Sequence, residues 1–266
     1  MELQLGDVQT TALIPLAVKA SETLRENPRI KDPKAVDIIR HLKIDTKQYD
    51  KFLSHEGVIA RTIMLDRKIK RIIEKYPDTV IVNIGAGFDN RFSRIDNGKI
   101  LWFDIDLPDA IAARKKAFPE QERVTMIPCD ALKSDWCGAV NSALCGRESK
   151  PVFIAEGLFM YLTLDQIKIL LENLKKGFPN GGTLIAEQNC KMMVKNEKYH
   201  DTVRNTNAHF ASGTDTAQEI VDLTDGIRLM DEHSFNEEMK KHSIRGKLFA
   251  LLFPNMNDRW ATFEWG

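Results

Sequence analysis

A doubly wound α/β fold, with helices on both faces of a mostly parallel sheet, is what the sequence predicts. Three observations lead there. The texture changes near Pro77, helical before it and alternating after it. From residue 78 onward, five short β-branched or apolar runs are separated by helical stretches of one to four turns, the pattern of successive βα units. Two more strand-like runs close the chain.

The elements follow in order. Residues 11–26 are rich in alanine and leucine, residues 33–42 open with a proline, and residues 50–76 make a long amphipathic run, so three helices are expected ahead of the sheet. The first strand is expected at residues 79–84, followed by a glycine-rich turn. The second starts at Lys99, ends at Asp106, and leads into a helix opened by Pro108 and Asp109. The third, residues 123–127, precedes Asp130 and a helix through Leu144. The fourth is residues 151–155; Thr163 then caps a helix that runs to Lys176, with Gly177 just past its end. The fifth, residues 182–187, follows a Pro-Asn-Gly-Gly turn. Residues 190–224 are polar, of helical tendency, and suited to a lid or a substrate wall. A strand at residues 227–230, a helical stretch through Phe253 and a strand at residues 259–265 suggest a closing antiparallel hairpin.

The 266 residues, 43% apolar and 29% charged, suit one domain. With 38 basic and 38 acidic residues, the chain lacks the basic excess of most nucleic-acid binders. No apolar run approaches the roughly 20 residues that span a bilayer, and residues 1–10 lack the basic start and apolar core of a secretory leader, so a cytoplasmic protein without membrane contact is expected. Cys129, Cys137, Cys145 and Cys190 include no C-x-x-C pair, so neither zinc nor a disulfide framework is expected.

The candidate chemistry lies at the ends of the expected strands, where doubly wound sheets bind ligands. Gly85, Ala86 and Gly87 follow the first strand, where a backbone must approach a ligand closely. The dinucleotide fingerprint needs a third small residue where this chain has Asn90. Asp89 places a carboxylate at the helix N-terminus, where it satisfies the dipole and would repel a pyrophosphate. A nucleoside without phosphates therefore fits better than NAD, though a tight turn with no ligand reads the same way. Asp104 and Asp106, two apart and so on one face of the strand, each stand about 20 residues beyond the first glycine, where a carboxylate accepts ribose hydroxyls. Asp130 could take an exocyclic adenine amine, with Ala131 and Leu132 beside the ring. Glu156 ends an apolar strand and Gly157 permits a bend, so that the carboxylate could meet a cation or cap a helix. Arg61 lies four residues before Leu65 on the apolar stripe of the long helix, with Asp66 on the opposite face. An arginine directed into a core needs an anion, either the α-carboxylate of an amino-acid-like ligand or an internal ion-pair partner.

Three segments, NIGAGFDNR at 83–91, WFDIDLP at 102–108 and AEGLFMYL at 155–162, resemble the leucine carboxyl methyltransferase family, and in particular its polyketide O-methyltransferase branch, over residues 11–265. The resemblance implies a class I, Rossmann-like methyltransferase with a seven-stranded sheet, using S-adenosylmethionine. It divides the single domain 1–266 into a helical cover (1–77), a cofactor-binding core (78–189), a lid or substrate wall (190–225) and C-terminal strands (226–266). It implies that Arg61 holds the cofactor carboxylate and that Gly85, Ala86 and Gly87 make room for the methionine portion. It further implies that Asp106, with Asp104 and the intervening Ile105, holds the ribose; that Asp130 and Ala131 flank the adenine; and that Glu156, with Gly157, contacts the amine. Tyr161 would lie near the site of methyl transfer and is the candidate catalytic residue. The chain departs from the family's protein-carboxyl methyltransferases in having Pro15 and Leu16 near the position of an N-terminal lysine; Lys19 is the nearest substitute.

The expected reaction is O-methylation of a small molecule, at a carboxylate or a phenolic oxygen, without a metal. The alternatives are a nicotinamide-dependent oxidoreductase and a noncatalytic S-adenosylmethionine-binding protein. No histidine stands in a catalytic motif; His200 and His209, in the lid, are candidate bases for a phenol. Their weakness favours an acceptor that is already ionised. An acidic acceptor would need basic groups in the lid, for which Lys191, Lys195 and Arg204 are available.

Overall fold

The apolar runs form strands because both of their faces are covered. All five residues of β1 (Val80–Ile84) are buried. Val80, Val82 and Ile84 pack toward helices on one side, while Ile81 packs toward a second cluster on the other. The computed structural model describes residues 6, 10–197, 200–203 and 206–266. Around β1 stand β2 (Leu101–Asp106), β3 (Val124–Pro128), β4 (Val152–Ala155), β5 (Gly182–Gln188), β6 (Arg228–Ser234) and β7 (Arg259–Trp265). The sheet order is β3-β2-β1-β4-β5-β7-β6, with β1 to β5 parallel and β7 antiparallel to both β5 and β6. The predicted seven-stranded, mostly parallel sheet is therefore present. The order reverses between β1 and β4, so the loops leaving those two strands diverge and open a crevice there.

Three helices, α1 (Leu13–Thr23), α2 (Pro33–Leu42) and α3 (Phe52–Lys75), precede the sheet. Leu65, Ile69 and Ile73 of α3 pack on Ile81, Trp102 and Trp260, covering one face. The opposite face is covered by α6 (Cys137–Leu144) and α7 (Leu164–Gly177), whose Val140, Leu170, Leu171 and Leu174 meet β1, β4 and β5. Thr163 caps α7 as predicted, in a reciprocal capping box with Gln166. Between these lie the short α4 (Arg91–Ile95) and α5 (Pro108–Ala117).

Two expectations are refined. The helix after Asp130 begins only at Cys137, and the helical stretch expected between the two closing antiparallel strands, β6 and β7, is divided into two helices, α10 (Asn236–His242) and α11 (Ile244–Leu252). The insertion after β5 holds the short helices α8 (Lys191–Lys195) and α9 (Gln218–Val221).

Candidate active site

A cavity of about 750 Å³ opens where the carboxyl ends of β1, β2, β4 and β5 meet α1, α3 and the segment after β5. It lies within the ~300–1,000 Å³ range of small-molecule sites. Arg61, Gly85, Ala86, Gly87, Asp106, Asp130, Ala131, Glu156, Gly157 and Tyr161 all line it.

The glycine turn is built by β2. The carbonyl of Ile105 accepts from Gly85 N at 2.8 Å and from Ala86 N at 3.2 Å. Gly85 and Gly87 have φ of +70° and +46°, and a Cβ on Gly87 would come 2.9 Å from that of Ala12. Only glycine reconciles that backbone with the helical cover. Asp106, the last residue of β2, accepts from Gly87 N at 2.7 Å and Leu107 N at 2.8 Å. Burial nonetheless raises its carboxyl above the ordinary range.

Asp104 does not share this site. It sits one pleat deeper, fully buried under α5, where Arg114 binds it at 2.7 and 3.0 Å, Trp102 Nε1 at 2.8 Å and Asn83 Nδ2 at 3.1 Å. Same-face periodicity is satisfied, but only the strand end reaches the cavity. Ile105 is a core side chain whose backbone alone touches the turn.

Arg61 enters the cavity from α3. Its Nη1 donates to both oxygens of Glu187 at 3.0 Å, and its Nε lies 2.9 Å from Glu156 Oε1. The alternative of an internal ion pair is thus realised, but Nε has no aligned acceptor and remains a buried donor without a hydrogen bond. Glu156 is held from its other side by Arg91 at 2.6 Å. Burial works against its charge, yet Arg91 and Arg61 outweigh that and hold its carboxyl below the ordinary range. Arg91, fully buried, also binds Asp66 at 2.7 Å and Asp89 at 2.6 Å. Asp66, expected to be apart from Arg61 on the far face of α3, faces α4 rather than water. Asp89 answers to cations rather than to a helix dipole: Lys19 meets it at 3.0 Å, and α4 is only five residues long. Lys19, almost wholly buried, lines the cavity.

Asp130 accepts from Leu132 N at 2.9 Å. Burial pushes the Tyr161 hydroxyl up to about 12, which leaves it a neutral donor at physiological pH. His200 lines the cavity, but its Nδ1 accepts from Val203 N at 3.1 Å, so the proton of the neutral ring is on Nε2. Burial lowers its pKa. It is a donor and not the base that a phenol would need. His209 is 83% exposed and bonded to Glu197. Lys191 pairs with Glu219 at 2.6 Å, away from the cavity, and Lys195 is exposed; Arg204 lies outside the described residues.

Three cavity carboxylates escaped sequence reasoning, Asp201 in the segment after β5 among them. Glu187, at the end of β5, repeats the pattern of an apolar strand closed by a carboxylate that singled out Glu156. Asp258, just before β7, carries no local signal at all. With them the described cavity wall holds Asp89, Asp106, Asp130, Glu156, Glu187, Asp201 and Asp258 against only Lys19 and Arg61. Such a wall attracts cations and repels a pyrophosphate.

A parallel sheet reversed at its switch point, an antiparallel seventh strand inserted beside the fifth, and a glycine turn facing the carboxylate that ends β2 together define the class I methyltransferase architecture. A candidate methyltransferase of Thermobifida fusca has this fold, with a TM-score of 0.61 at 10% identity over 96% of this chain and 94% of that one. So does the magnesium protoporphyrin IX methyltransferase of Synechocystis, solved with bound S-adenosylhomocysteine, with a TM-score of 0.52 at 10% identity over 87% of this chain and 94% of that one. The leucine carboxyl methyltransferase family model matches residues 12–175, and the chain belongs to that family. The tetracenomycin polyketide synthesis O-methyltransferase TcmP of Streptomyces glaucescens is 24% identical over 234 residues, 87% of this chain and 84% of that protein. The chain is accordingly an S-adenosylmethionine-dependent methyltransferase. No helix among the described residues is long and apolar enough to cross a membrane.

Proposed function

We propose that this enzyme transfers the methyl group of S-adenosylmethionine to a carboxylate or phenolic oxygen of a small, polyketide-like molecule. The supporting observation is the ordered set Arg61, Gly85, Asp106, Asp130 and Glu156, drawn from successive elements into one cavity. Arg61, whose Nε makes no hydrogen bond although Glu156 lies 2.9 Å away, suits an α-carboxylate, and Glu156 and Glu187 suit an ammonium. The free lone pairs of Asp106 suit two ribose hydroxyls, and Asp130 with Ala131 suits an adenine edge. The cofactor supplies an electrophilic methyl on a sulfonium. The protein's part is to hold an oxygen in line with that carbon and to exclude water, a contribution worth roughly 7–11 kcal/mol in favourable cases. Met160, Met192, Met193, Met239 and Met256 line the same cavity, and such adaptable side chains suit a flat apolar acceptor.

Calorimetry with S-adenosylmethionine and S-adenosylhomocysteine tests this reading. Both are expected to bind the wild type, with binding weakened at least tenfold in Gly85→Arg and Asp106→Ala, since a hydrogen bond to a charged group contributes about 1.5–3 kcal/mol. A wild type that binds neither compound overturns the proposal.

A further inference from the structure

Most exposed large apolar side chains are scattered over the described surface, but residues 244–253 concentrate five of them in one stretch. Ile244, Leu248, Leu251 and Leu252 of α11 are 51–81% exposed, and Phe253 follows them. Single exposed leucines are ordinary, whereas a contiguous apolar patch marks a surface that meets something else. At about 100° per residue, the four α11 residues fall within roughly 100° of one another, and Arg245 and Lys247 stand at the two edges of that stripe. The rest of the helix turns inward: Gly246 is buried, and Phe249 packs on the cluster formed by α3 and the sheet. Charge is as uneven as hydrophobicity. From Met239 to Asn257 the chain has Lys240, Lys241, Arg245 and Lys247 and not one acidic residue, although the whole chain is neutral. Lys241 is paired with Glu238, but no carboxylate of the described residues pairs with Arg245 or Lys247, both of which are exposed. The Arg245 guanidinium lies 5.8 Å from the Phe52 ring, which joins the stripe to the start of α3. There the partly exposed Leu53 also lines the cavity, as do Phe249 and Met256 behind the stripe, so the patch borders the site.

We infer that this face docks on an anionic lipid surface, with α11 lying in its plane. That no described helix spans a membrane bears on crossing one and not on lying against it. Docked in this way, Ile244, Leu248, Leu251 and Leu252 enter the acyl boundary, while Arg245 and Lys247 reach along their alkyl stems to the headgroup phosphates. Charge disfavours a second copy of the chain as the occupant, because two such faces set like cations against each other with no acidic residue of the segment to meet them. Extent disfavours an acidic protein groove. A groove takes one helix, yet the apolar surface continues onto Phe52 and Leu53 of another element and to the rim of the cavity, which suits a plane. The same docking sets the cavity mouth against the phase in which apolar molecules concentrate. It does not depend on which acceptor the enzyme uses.

Flotation of the full chain with lipid vesicles tests the inference. Wild type is expected to bind equimolar phosphatidylglycerol–phosphatidylcholine vesicles at least about tenfold more tightly than phosphatidylcholine alone, with the difference lost in about 1 M salt. Leu251→Glu with Leu252→Glu should weaken binding at least about tenfold, since two leucines no longer enter the lipid. Arg245→Glu with Lys247→Glu should do the same, each cation near such a surface contributing roughly fivefold. The same charge change at Lys115 and Lys116, exposed on α5, should shift binding by less than about threefold, because charges held away from the surface are screened. S-adenosylhomocysteine affinity, measured by calorimetry, should be unchanged in all three variants. That measurement reads folding, and a wild type that fails it overturns the methyltransferase proposal while leaving the flotation result to stand by itself; where one pair of substitutions unfolds the chain, the other pair decides. No binding to either kind of vesicle, equal binding by wild type and the Leu251–Leu252 variant, or equal weakening by the α5 control overturns the docking face. So does a wild-type dimer that the Leu251–Leu252 variant dissociates in sedimentation velocity, which assigns the face to a second copy. Retention on immobilised polyglutamate without vesicle binding assigns it to an acidic protein and overturns the inference equally.

Discussion

Replacing Arg91 by leucine isolates the charge network beneath the cavity. The guanidinium is fully buried and binds Asp66, Asp89 and Glu156 at 2.6 to 2.7 Å, so its removal leaves three buried carboxylates each one partner short. Breaking a buried pair costs about 3–5 kcal/mol. Each carboxylate here keeps a second cation: Arg94 on Asp66 at 2.8 Å, Lys19 on Asp89 at 3.0 Å and Arg61 on Glu156 at 2.9 Å. The loss should therefore fall at the lower edge, about 3 kcal/mol, or roughly 6–12 °C in Tm for a chain of this size. Its pH dependence has a definite sign. The cations hold all three carboxyls below their ordinary range in the folded chain. The stability they contribute is thus present above the ordinary carboxylate range and lost as pH falls through the depressed values. The gap between wild type and Arg91→Leu should be widest at neutral pH and close on acidification. Urea denaturation followed by the fluorescence of the buried Trp102, Trp136, Trp260 and Trp265 reads it directly. A loss under about 1 kcal/mol at pH 7, the value of an exposed pair, or a gap that widens toward acid would refute the account of Arg91 as a buried hub.

Two further outcomes follow from single contacts. Between the ordinary carboxylate range and about 8, folded Asp258 keeps a proton that the unfolded chain has released, so its contribution to stability falls as pH rises. Asp258→Asn should therefore gain on wild type across about pH 4 to 8, by at most ~1.4 kcal/mol per pH unit; parallel stability profiles would show that the carboxyl titrates normally. Thr163→Ala removes the Oγ1 acceptor, 3.2 Å from Gln166 N, that closes the capping box. It should cost about 1 kcal/mol, seen as a drop of about 2–4 °C in Tm without loss of cofactor affinity, and an unchanged Tm would show that α7 is held by packing alone.

How much of this was readable from the chain depends on the range of the physics involved. The strands were readable because a parallel strand buried on both faces must be a near-continuous apolar run, as at residues 80–84 and 152–155. The glycine turn was readable because its backbone conformation excludes other residues. Arg61 was readable as a cation on an apolar stripe, but not its partners, since Glu156 and Glu187 come from strands about 95 and 126 residues away. Asp104 and Asp106 were indistinguishable by periodicity, because depth below the sheet edge is set by α5 and Arg114 and not by alternation. Asp258 was invisible for a stronger reason. Its place in the cavity depends on the pairing of β7 with β5 and β6, a property of the assembled sheet and not of the residues beside it. The equality of 38 basic and 38 acidic residues likewise hides an uneven distribution. Arginines are gathered behind the cavity, where Arg91 and Arg94 neutralise carboxylates from below, while the described wall itself faces its ligand with seven carboxyls and two cations. A ligand carrying an ammonium and a sulfonium relieves that excess.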